Sequence, residues 1–229
     1  MLMRILSRMD GKAMKLFSRD ISMQMARIAL PSILQQSTIS IGMMLVQSVV
    51  NTFGSEVLAG YSASIRIDNI VTVPFSAIGN AMSPYTAQNI GAGKDERIRP
   101  GYRISMGLII LSGAIACIVL QLFNTGITGL FLGEEGTATA YSTGERYLSF
   151  LGWFYPILGF AMVTGGVLRG SGDMKLFTAA SIANLSFRVI GSMILAPRFG
   201  VDIVWYVVPI GWVLYFGICF IAYRRKAFP

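Results

Sequence analysis

An all-α, polytopic membrane protein with six transmembrane helices is the fold class this sequence predicts, on three observations. Hydrophobic residues make up 54% of the 229 and charged residues 13%, against about 25% charged in a soluble domain. Charge-free apolar runs cover residues 28–55, 69–93, 104–133, 147–168 and 203–223, each at or beyond the ~20 residues a spanning helix needs. Lysine and arginine fall almost entirely in alternate connections between these runs, the pattern that orients membrane proteins.

The elements follow in chain order. Leu2, Ile5, Leu6, Met9, Ala13, Leu16 and Phe17 recur at helical spacing, while Arg4, Arg8, Lys12, Lys15 and Arg19 run down another face. Residues 1–21 thus read as a basic amphipathic segment lying on the anionic inner leaflet, or as a solvated linker, since Gly11 weakens a helix there. A secretory signal is not expected, because a continuous apolar core and a small-residue cleavage site are missing. Spans one to four are the first four apolar runs and span six the last. Span five, residues 175–197, is interrupted only by Arg188.

Charge orients these spans. Arg4, Arg8, Lys12, Lys15, Arg19 and Arg27 precede span one, and Lys94, Arg97, Arg99 and Arg103 separate spans two and three. Arg169 and Lys175 separate spans four and five, and Arg224, Arg225 and Lys226 follow span six. The opposite connections hold only Arg146 and Arg198, so fifteen basic residues face two. Both termini are therefore expected in the cytoplasm of a plasma-membrane protein. The net charge of +8 is dispersed by topology, so the expected partner is membrane lipid and not nucleic acid.

Within the spans, Pro31, Pro74, Pro84, Pro156 and Pro209 each remove a backbone donor, which lipid tolerates only where neighbouring helices or water re-satisfy the backbone. Tyr147, Trp153, Tyr155, Trp205, Tyr206 and Tyr223 flank spans four and six and read as interfacial aromatics or as packing. Cys117 and Cys219 lie inside spans as small packing residues, with no disulfide or metal site indicated. Histidine is absent, and no nucleophile stands with a base, so an enzyme is not expected. Gln35, Gln36, Thr38, Gln47, Asn69 and Asn184 are the polar candidates for a cavity wall or for helix-to-helix hydrogen bonds. Gln35 and Gln36 lead, because a kink at Pro31 would open the helix beside them. Arg66, Asp68 and Arg188 are intramembrane charges, costing on the order of 3 kcal/mol each if unpaired. An Asp68 to Arg188 ion pair between spans two and five is the expectation, since both lie at similar depth.

Two connections carry specific strings. Span two ends in Pro84-Tyr85-Thr86-Ala87-Gln88-Asn89-Ile90-Gly91-Ala92-Gly93-Lys94, and span four in Leu168-Arg169-Gly170-Ser171-Gly172-Asp173. With Val50-Asn51-Thr52-Phe53-Gly54-Ser55-Glu56 and Ala63-Ser64-Ile65-Arg66-Ile67-Asp68 before them, these strings resemble the multidrug and toxic compound extrusion (MATE) family, in its second, C-terminal six-helix lobe. The motif turns are Gln88, Asn89, Gly91 and Gly93, then Arg169, Gly170, Gly172 and Asp173. On this resemblance residues 22–229 form a six-helix MATE-like half.

The resemblance implies secondary active efflux of small organic, mostly cationic compounds, coupled to Na+ or H+ with no other cofactor. It also implies twelve helices in two lobes around a central cavity, so a complementary six-helix lobe or self-association is expected. Coupling carboxylates that family members carry in the first lobe, or in the helix matching span one, have no counterpart here. Gln35, Gln36, Ser37 and Thr38 occupy that stretch of span one. The alternatives are a non-transporting membrane subunit or truncated remnant, and a lipid-linked substrate flippase of the same superfamily.

Overall fold

A computed structural model describes residues 19–133, 136–226 and 228, with α1 side chains described at positions 22, 23 and 33 and from 36 onward. The described elements are α1 (Arg19–Asn51), α2 (Ser55–Val71), α3 (Val73–Gly91), a 3-10 turn (Asp95–Arg97), α4 (Ile98–Leu132), α5 (Ala138–Gly152), α6 (Tyr155–Gly170), α7 (Met174–Phe199) and α8 (Ile203–Arg225). The amphipathic segment expected at 1–21 lies outside the described residues up to position 18. Residues 1–38 and 39–229 form two compact units. In the first, α1 is unbroken at Pro31, so the expected opening beside Gln35 and Gln36 is not seen as a break.

The second unit holds the rest of the helices, and its outward surface is that of a protein in lipid. On α4, Ile104, Leu108, Leu111, Ile115, Ile118 and Leu122 are exposed, at the spacing of one helical face. The opposite face buries Ile98, Tyr102, Ile109 and Leu120. Among the described residues, three helices are long and apolar enough to cross a membrane: α4 with its preceding turn, α7 and α8. The α5–α6 pair, bent by 57°, makes a fourth if read as one broken span.

Spans two and four depart from the expectation of single helices, because each is two helices with a proline in the first turn of the second. Pro74 follows Val73 at the start of α3 and Pro156 follows Tyr155 at the start of α6. Proline is tolerated there because its missing N–H would have no partner within the helix. Pro84, Pro197 and Pro209 instead sit inside continuous helices. Span four also begins earlier than its charge-free run, at Ala138, so Arg146 lies on α5 and not in a connection. Arg198 likewise belongs to the last turn of α7.

The two broken spans lie side by side, α2 against α5 and α3 against α6. Lipid tails are as apolar as leucine, so close approach between helices matters more here than hydrophobic burial. Glycine provides the approach. A Cβ at Gly60 would strike the Ala140 carbonyl, one at Gly166 the Gly79 carbonyl, and one at Gly170 the Ser83 carbonyl. Gly166 and Gly170 are four apart on α6, a GxxxG spacing that presents both to α3. Ion pairs brace the ends: Arg146 to Asp202 at 2.8 Å and Asp173 to Lys226 at 3.6 Å.

The interfacial reading of the aromatics splits. Trp153 is 67% exposed and Tyr206 43%, as interfacial side chains would be. Tyr147, Tyr155 and Trp205 are buried and belong to the core, where Tyr147 packs on Trp205 and Tyr155 on Trp212.

Candidate functional site

The motif turns are helix stops. At the end of α3, Lys94 N–H donates to the Asn89 carbonyl at 2.9 Å and Gly93 N–H to that of Ile90 at 3.0 Å. At the end of α6, Asp173 N–H donates to Leu168 and Gly172 N–H to Arg169, at 2.9 and 3.1 Å. Both are Schellman caps, and their glycines have φ of 65° and 78°, a region that residues with a Cβ enter only at a cost. The polar members anchor the same ends. Asn89 donates to the Tyr85 carbonyl, and Arg169 donates to Asn80 of α3 at 2.9 Å with its guanidinium 5.1 Å from the Phe177 ring. Gln88 and Gly91 are exposed. The motif residues therefore terminate and dock helices.

A different set of residues gathers at the two helix breaks. Asp68 stands in the last turn of α2, and Tyr155 is the first residue of α6. The Tyr155 hydroxyl donates to Asp68 Oδ1 at 2.7 Å. This hydrogen bond joins one broken span to the other close to both joints. The Tyr155 ring is stacked on Phe75 of α3 at 6.0 Å and tilted against Trp212 of α8 at 6.0 Å. Above it, Tyr61 packs edge-on to Tyr147, which packs edge-on to Trp205.

Arg188 of α7 is close enough for its charge to act on Asp68 and on Tyr61. The expected Asp68 to Arg188 ion pair is nevertheless not formed: the ion pairs among the described residues are Arg146–Asp202 and Asp173–Lys226. Asp68 Oδ1 is instead engaged by the Tyr155 hydroxyl at 2.7 Å, and Arg188 does not come within ion-pair distance of the carboxylate. Among the described residues, Arg188 Nε and Asn184 Oδ1 are buried and have no hydrogen-bond partner. The two residues are one turn apart on α7 and face α8 at Gly211, whose missing Cβ makes room for both.

Of the other expected site residues, Asn69 and Arg66 are exposed on α2. Gln36 and Thr38 are exposed in the first unit, and the Gln35 side chain lies outside the described residues. Gln47 is exposed, with its amide 3.5 Å from the Ser62 hydroxyl. The structure thus brings together Asp68, Arg188 and Asn184 and leaves Asn69 and Arg66 outside the group. Sequence reasoning took Tyr155 for an interfacial or packing aromatic and passed over Gln121 and Asn124. Gln121 donates to the Ser149 carbonyl at 2.7 Å and Asn124 to the Ser149 hydroxyl at 2.6 Å, satisfying backbone near the α5 end where lipid offers no water. The signal for Tyr155 was its place directly before Pro156, the counterpart of Val73 before Pro74.

Residues 31–194 match the MatE family model. The chain belongs to the MatE family. Over 148 residues this MatE chain is 33% identical to the probable multidrug resistance protein YpnP of Bacillus subtilis, which covers 65% of the chain and 33% of the relative. Its fold resembles a MOP superfamily transporter from Pyrococcus furiosus, with a TM-score of 0.80 at 23% identity, over 92% of this chain and 47% of that one. It likewise resembles the bent form of the Vibrio cholerae MATE transporter VcmN, with a TM-score of 0.80 at 18% identity, over 91% and 48%. At these identities the structural likeness speaks to fold. The MatE chain spans about half the length of the solved transporters and matches about a third of the curated relative. The family is one of membrane transporters and not of enzymes, and the all-α polytopic fold is shared.

Proposed function

We propose that this chain is the C-terminal lobe of a multidrug efflux antiporter in the plasma membrane, with cytoplasmic termini. It moves small organic, mostly cationic compounds against Na+ or H+. The other half of its cavity comes from a complementary six-helix lobe or from a second copy. What supports the lobe assignment is coverage: the chain accounts for nearly half of each full transporter with almost none of its own length left over.

The observation that carries the mechanism is the Tyr155 to Asp68 hydrogen bond at the joints of two broken spans. Broken helices in transporters place ion and substrate groups at mid-membrane. An ionised Asp68 accepts from Tyr155 and holds α2 to α6. Proton or Na+ capture by Asp68 removes the charge that strengthens this hydrogen bond and so loosens the hold between the α2–α3 and α5–α6 joints. Coupling thus resides in α2 and not in span one, where Gln35 and Gln36 stand.

Cells lacking their own efflux pumps, given this chain with a first-lobe partner, are expected to expel an organic cation such as ethidium under an ion gradient. The Asp68→Asn variant should keep the fold and lose at least about tenfold of the gradient-dependent rate, a barrier change of about 1.4 kcal/mol. Unchanged gradient dependence in that variant would remove Asp68 from coupling.

A further inference from the structure

A cavity of about 430 Å³ lies where the start of α4 meets the end of α8. Arg99 and Arg103 enter it from α4 and Arg224 from α8, and Tyr102, Tyr223 and Phe220 form much of its wall. All three arginines line the same opening as Tyr223. None of them is in an ion pair or hydrogen bond among the described residues. Asp95 and Glu96, in the turn before α4, make no ion pair with them, and Asp173 is taken by Lys226. Three guanidiniums held around one opening repel each other, so an anion belongs between them.

The walls say which anion. Tyr102 stacks on Tyr223 at 4.4 Å, while its hydroxyl is engaged by Thr164 at 2.9 Å. From Tyr223 the rings continue through Phe220 and Phe216 to Phe160, with centroids 6.3, 5.4 and 6.0 Å apart. An apolar ladder therefore leads from the cationic mouth toward the middle of the bilayer. Helices α4 and α8 both pack against α6. Their outer sides carry exposed Ile110, two turns beyond Arg103, and exposed Ile221, one turn before Arg224. The site is charged at the headgroup level and apolar below it. A free phosphate or nucleotide would use only the mouth.

We propose that this cavity binds the phosphate headgroup of an anionic phospholipid, whose acyl chains lie along α4 and α8. A basic pocket between helices is the expected form of such a site. Bound lipid would bridge α4 and α8 at their cytoplasmic ends. The inference does not depend on the efflux reading, because it uses neither Asp68 nor the breaks.

The purified chain in neutral detergent is titrated with phosphatidylglycerol, phosphatidylcholine and inorganic phosphate, and retained lipid is counted by native mass spectrometry. Phosphatidylglycerol should bind at least tenfold more tightly than phosphatidylcholine, and millimolar phosphate should not displace it. Replacing Arg99, Arg103 and Arg224 together by Gln should weaken phosphatidylglycerol by on the order of 100-fold, about fivefold per arginine. Arg225→Gln, outside the cavity lining, should leave it unchanged. Equal retention of the two lipids by the unaltered chain would overturn the proposal without any variant having to fold. Full displacement by phosphate would overturn it too, in favour of a free-phosphate site.

Discussion

At the residue scale the proposed coupling turns on which group holds Asp68. Both intramembrane charges of opposite sign were legible as unusual in an apolar sequence, and their shared depth was legible from helix geometry. Their pairing was not, because the bend that swings Tyr155 to the carboxylate comes from a break that hydropathy does not register. A double-mutant cycle separates the two partners. Asp68→Asn with Tyr155→Phe should show a coupling energy of about 1.5 kcal/mol, as for a hydrogen bond to a charged group. That exceeds the ~0.6 kcal/mol average for polar contacts between membrane helices. Asp68→Asn with Arg188→Gln should be additive within about 0.5 kcal/mol, read from unfolding in mixed micelles. The reverse ranking would restore the ion pair and remove Tyr155 from the joint.

At the element scale the seam between α3 and α6 is the interface least able to accept a side chain. Gly166 faces the Gly79 carbonyl with no space for a Cβ, whereas Gly217 of α8 has nothing within 4 Å. Gly166→Leu should therefore cost about 1–3 kcal/mol through overpacking, and Gly217→Leu should stay within about 0.5 kcal/mol. Thermal midpoints of the purified chain in detergent report both, and equal losses would contradict the seam. Long apolar runs made α8 readable to about two residues and the end of α4 to one, while α4 begins at Ile98, ahead of its charge-free run. The second and fourth spans were harder, since Pro74 and Pro156 could equally mark kinks, and the middle of α5 carries Glu145 and Arg146 like a loop. The motif strings were recognisable before their purpose was: Gly93 and Gly172 are Schellman caps, which a sequence displays only as glycine after a helix.

At the scale of the whole molecule, orientation and completeness decide function. The fifteen-to-two division of basic residues predicts that single cysteines at Ser55, Gly136 and Gly200 react with an impermeant thiol reagent from outside. Cysteines at Gly91 and Ser171 should not, and labelling in the opposite sense would invert the topology. The half-length match to full transporters makes a stronger demand. On the proposed reading one lobe supplies one wall of a cavity, and the Asp68 to Tyr155 joint works only if a substrate site lies against it. The most direct test is ion-gradient-driven uptake of an organic cation into reconstituted vesicles, comparing the chain alone with the chain plus a first-lobe partner. Uptake is predicted only with the partner, or with the chain as a cross-linkable dimer. Gradient-driven uptake by vesicles holding the chain as a verified monomer would contradict the account.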